Sequence, residues 1–151
     1  MQLAPEAHAR LERFLRVSLR DEGLRLPAVA VHTGRVAGAL TRVLRVGAIT
    51  FGRHVFLAPA WCARGADGAV RVPGWLVAHE AVHVVQYRRA GAARFLCAYL
   101  GEYARQVWRG PGRPGARHAR AYRAIRFEAE AFAVETAYRE QAARFEALTL
   151  R

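Results

Sequence analysis

The sequence predicts a mostly helical α+β fold, a single domain over residues 1–151 with a small β-sheet packed beside one buried helix. Three observations carry this prediction. Helical periodicity fills both ends of the chain, whereas β-branched and aromatic runs are confined to its first half. The stretch "GWLVAHEAVHVVQYRR", Gly74 to Arg89, is apolar nearly all round its helix, which marks a buried element. The length suits one real core and is short for two.

Taken in order, "PEAHARLERFLRVSLRDEG" places Leu11, Phe14, Leu15 and Leu19 at helical spacing and stops at Gly23. "LPAVAVHTG" is a short β-like run. "RVAGALTRVLRVG" is helical by its Val36, Leu40, Val43, Leu44 pattern before Gly47. "AITFGRHVFLAP" carries strand formers around a central glycine, which predicts two short strands or one bulged strand. "ARGADGAVRVPG" is turn-rich and reads as a loop into the next helix, with Pro73 near its first turn and Gly91 past its end. A further helix is apolar at Phe95, Leu96, Tyr99, Leu100 and Tyr103. "GPGRPGAR" breaks it from a last, long helix over about Arg117 to Ala147.

Apolar residues make up 53% of the chain and charged residues 24%, an ordinary globular balance, and no run is long enough to span a bilayer. The N-terminus has charges throughout and no apolar signal core, so the expected location is cytoplasmic, with export left to a dedicated secretion or injection system. Cys62 and Cys97 lack metal or redox spacing and read as buried free thiols. The net charge is +12 and arginine supplies all 24 basic residues. Such a charge favours acidic partners, but no nucleic-acid motif or aromatic-basic platform accompanies it, so nucleic acid ranks last among the partners.

Three costly side chains interrupt the buried helix. His79 and His83 lie one turn apart on one face, so their rings can converge on one ion, and Glu80 lies beside them. This is the HExxH spacing, in which two neutral imidazoles hold one zinc ion and the glutamate serves as general base toward water. Gln86 falls on the same stripe. Zinc in a hydrolytic site takes three protein ligands, so one more is expected downstream. His118, Glu128, Glu130 and Glu135 are the candidates, with Glu102 placed too close after the site. Glu128 and Glu130 sit among apolar side chains, where burial demands a metal or a hydrogen bond; for Glu130 and Glu135 an arginine salt bridge is the favoured partner.

"HEAVHVVQY" resembles the active helix of the metallopeptidase domain in core proteins of extracellular contractile injection systems, which reads HExxHxxQ. "VHTG", "GAITFGRHVFLAP" and "WLVAHE" follow the same domain's order, so the resemblance spans about Leu26 to Gln86. More broadly the chain looks like a minimal gluzincin, in which a glutamate from a later helix joins the two histidines. In that group a small residue and then an aspartate follow three and four positions after the ligand. Here Glu128 is followed by Ala131 and Phe132, so the small residue fits and the aspartate is missing.

The resemblance implies a zinc metallopeptidase acting on a protein or peptide, with Glu80 as base and an injection-system or acidic protein as partner. Tyr122 and His118 stand as uncommitted oxyanion donors, and the strand around "GRHVFLA" as a place for substrate edge pairing. Helix geometry then separates the ligand candidates. Glu128 and Glu130 point about 200° apart, and Glu128 shares a largely apolar face with Ile125, Ala131, Phe132 and Glu135. The metal set expected is therefore His79, His83 and Glu128. The alternatives are a catalytically idle zinc-bound scaffold or effector component, and then an arginine-rich nucleic-acid binder.

Overall fold

A computed structural model of the chain describes residues 1–66, 68–111, 114–141 and 148–150. Helix α1 (Pro5–Ser18) opens with proline in its first turn, where no amide hydrogen bond is lost, and buries Ala7, Leu11, Phe14 and Leu15. It ends where Arg20 adopts a left-handed φ of 50°. Strand β1 (Ala30–His32) and helix α2 (Arg35–Leu44) follow. The helix is rotated from the face its larger residues suggest: Ala37, Gly38 and Thr41 are buried, while Val36, Val43 and Leu44 are exposed. Small residues win that face because α2 runs close to Pro59, whose ring lies against Gly38.

Strands β2 (Ala48–Phe51) and β3 (His54–Leu57) form a hairpin that turns at Gly52, whose φ of 59° favours glycine. Of the two arrangements predicted for this run, it is two strands. Strand β3 lies in the middle of the sheet, antiparallel to β2 and parallel to β1. The expected loop at "ARGADGAVRVPG" instead carries β4 (Ala63–Arg64) and β5 (Val70–Val72). A C-terminal strand, β6 (Leu148–Leu150), pairs with β5 to make a second three-stranded sheet. The single small sheet predicted is therefore two. Val70, Val72 and Leu150 enter the core from the second one.

Helix α3 (Gly74–Ala90) runs through the centre, its residues from Leu76 to Tyr87 all buried. It packs chiefly against α6 (Arg126–Gln141), and also touches β2, α4 (Ala92–Arg109) and α1. Gly74 permits this approach, since a Cβ there would collide with the ring of Tyr138 on α6. The long terminal helix predicted from about Arg117 to Ala147 is divided: α5 (Pro114–Arg123) stops, Ala124 and Ile125 turn, and α6 begins. The break has a cause in another element. Glu102 of α4 accepts the backbone N–H of Arg126 at 2.9 Å and pairs with its guanidinium at 2.7 Å, which caps a new helix there. The last part of the predicted helix, residues 142–147, lies outside the described residues. The mostly helical α+β class holds. Cys62 is half-buried, while Cys97 is exposed on α4 rather than buried; both are free.

Candidate metal centre

One turn of α3 brings the His79 and His83 rings to 5.1 Å between centroids, and α6 lays Glu128 across them. His79 Nε2 is 3.3 Å from Glu128 Oε2, and His83 Nε2 is 3.4 Å from Glu128 Oε1. One ligand atom from each of the three residues lies within 4.8 Å of the others, and all three residues are buried. Donor atoms this close to one another can share a single metal ion. Glu128 Oε2 is buried with no hydrogen-bond partner. An atom so placed is costly to bury unless a cation takes it up. The donor set therefore fits a divalent metal ion.

The outer ring nitrogens are held as well. His83 Nδ1 lies 2.8 Å from Gln86 Oε1, so it carries an N–H, which makes Nε2 the nitrogen that faces the cage. Gln86 in turn donates to the Phe127 carbonyl at 3.0 Å and to Glu130 Oε2 at 2.7 Å. His79 Nδ1 lies 3.1 Å from Glu135 Oε2, and Arg139 grips the other oxygen of Glu135 at 2.9 Å. Glu135 thus does more than bridge an arginine: it orients His79 from one turn beyond the position where the aspartate is missing. Phe132, which occupies that position, packs its ring on His79 at 4.9 Å. Glu130 likewise departs from the expected arginine pairing: its partner among the described residues is Gln86.

The remaining candidates fall elsewhere. His118 is exposed on α5 with its Nδ1 2.8 Å from the Tyr103 hydroxyl; Glu102 caps α6. Tyr99 and Tyr122 do reach the site. Tyr99 donates to Glu128 Oε1 at 2.7 Å, and both tyrosines line a cavity of about 130 Å³ together with Glu80, His83 and Glu128. Burial raises both phenol pKa values, and the Glu128 charge adds to it, so both remain proton donors. Thr50 on β2 donates to Glu80 Oε2 at 2.7 Å, which anchors a carboxylate only 5% exposed. Neither Thr50 nor Tyr99 stands out in the sequence, where both read as ordinary strand and helix packing. The edge expected to receive substrate also shifts: "GRHVFLA" forms the middle strand, so the strand edge beside the cavity belongs to β2.

Burial opposes charge on His83, but its hydrogen bond to Glu128 and the carboxylates of Glu80 and Glu128 outweigh this and lift its pKa to about 9. Burial likewise opposes ionisation of Glu128, yet the two histidines hold its pKa well below the usual carboxylate range. In the metal-free protein the stability from the raised His83 pKa is complete below 6.5 and is lost as pH rises through about 9. Metal binding runs the opposite way, because the ring must first release its proton. Zinc affinity is expected to rise about tenfold per pH unit between 6.5 and 8.5. A competition titration against a chelating dye at three pH values checks this; a flat profile would show that His83 is already neutral.

Among the described residues no helix is long and apolar enough to cross a membrane. Residues 2–91 match the eCIS core domain, and a match over more than half its length places the chain in that family. The family associates it with extracellular contractile injection systems. No curated protein and no solved structure matches the chain. The matched region ends at the C-cap of α3. It contains Thr50 and the HExxH residues, while Tyr99, Tyr122, Glu128 and Glu135 all come from the chain beyond it.

Proposed function

We propose that the protein is a zinc-dependent peptidase of the injection-system family. The observation that carries this reading is the convergence of His79, His83 and Glu128 on one buried cage that shares its cavity with Glu80. When bound, zinc supplies Lewis acidity toward a carbonyl and lowers the pKa of a water. Glu80 then takes a proton: Thr50 occupies its Oε2, which leaves Oε1 as the basic oxygen. Tyr122 lines the same cavity, a protonated phenol able to donate to the oxygen on which charge develops. The β2 edge offers backbone groups with which an extended peptide can pair.

The test is the metal content of the purified protein together with a proteome-wide cleavage assay. One zinc per chain is expected, with hydrolysis that stops on chelation and returns with zinc. Stoichiometric zinc with no cleavage of any peptide would instead favour a metal-bound scaffold within the assembly.

A further inference from the structure

The peptidase reading, on which this inference rests, leaves the charge on the helices that supply Tyr99 and Tyr122 to the cavity unexplained. Residues 92–126 hold eight arginines against a single carboxylate, Glu102, and so carry more than half of the chain's net charge of +12. That carboxylate is already matched by Arg126. Within it lie α4 and α5, the two helices that send Tyr99 and Tyr122 into the cavity, and Arg105, Arg109, Arg120 and Arg123 are exposed on them. Arg123 directly follows Tyr122. Its guanidinium lies 5.2 Å from the centroid of the Phe132 ring, the ring that packs on His79. Among the described residues no carboxylate pairs with it.

Within the cavity Val46, Ile49, Phe51, Phe95 and Leu96 provide apolar lining beside the carboxylates. We propose that the cavity takes an acidic polypeptide segment. A bulky apolar side chain seats on that lining, and carboxylates flanking it lie along the α4–α5 face, where Arg123 engages the nearest. A nucleic acid matches the arginines but has no bulky aliphatic side chain to seat on the apolar lining of the cavity. A peptide also meets the β2 edge with its own backbone. Each exposed pair contributes little alone, so the selectivity arises from the summed field and weakens with salt.

The experiment uses the zinc-loaded Glu80→Gln protein and two fluorescent peptides of equal length around a central leucine, one flanked by glutamates and one by glutamines. The acidic peptide is expected to bind at least about tenfold more tightly at low salt. Arg123→Glu, and separately Arg105→Glu with Arg109→Glu, should remove that preference while zinc content and glutamine-peptide binding persist. Equal affinity for the two peptides, or a preference indifferent to both sets of variants, overturns the proposal. So does an oligonucleotide of the same charge that binds more tightly and displaces the acidic peptide. Since binding here needs no turnover, an intact acidic preference alongside a wild-type protein that cleaves nothing would count against the peptidase reading alone.

Discussion

Glu80→Gln is expected to hold its zinc and lose about a thousandfold in kcat/KM, within the range general-base catalysis supplies. The amide keeps the shape of the carboxylate and can still accept the Thr50 hydroxyl through its oxygen, so the wall of the cavity stays in place. What it lacks is an oxygen basic enough to take a proton from water. The side chain contributes no atom to the cage, which is why metal content should not move. Turnover by the variant within tenfold of wild type would remove Glu80 from the chemistry. Loss of zinc along with activity would instead make it a structural support for the centre.

The second large effect concerns Glu128. Glu128→Ala should weaken zinc binding well beyond the roughly 10–100-fold that follows loss of a supporting residue, because it removes one of three ligands. It also removes a partner that raises the His83 pKa in the metal-free state, so the ring titrates lower. Glu130→Ala is the control. Its carboxylate touches Gln86, which touches His83, so its effect should stay near the bottom of that range. Isothermal titration with zinc separates the two variants. A larger loss from Glu130 than from Glu128 would mean that α6 presents its other face to α3.

The parts of this centre that could be read in the sequence are those governed by a single helix. His79, Glu80 and His83 lie within five residues of one another, and helical geometry alone fixes their relative directions. Glu128 was legible for a related reason: Ile125, Ala131 and Phe132 repeat at three and four spacing and mark its face as the packed one, and Ile125 and Ala131 are fully buried. The residues that went unseen owe their roles to contacts across the fold. Thr50 meets Glu80 across 30 positions and Tyr99 meets Glu128 across 29, and no local pattern encodes either pair. Glu135 looked like an ordinary arginine partner because Arg139 is one turn away, and that pairing exists beside the one to His79. The strands at Ala63–Arg64 and Val70–Val72 are too short to show alternation, and the strand that completes their sheet comes from the other end of the chain.

The cap that Glu102 places on α6 has an effect beyond dividing two helices. Each residue advances a helix by about 100°, so starting α6 one position earlier or later relative to a fixed backbone would swing Glu128 away from both imidazoles. The side chain that accepts the first amide of α6 belongs to α4 and touches none of His79, His83 and Glu128. Glu102 thus ties the first turn of α6 to a neighbouring helix, so that a change on α4 can reach the carboxylate at the cage without touching it.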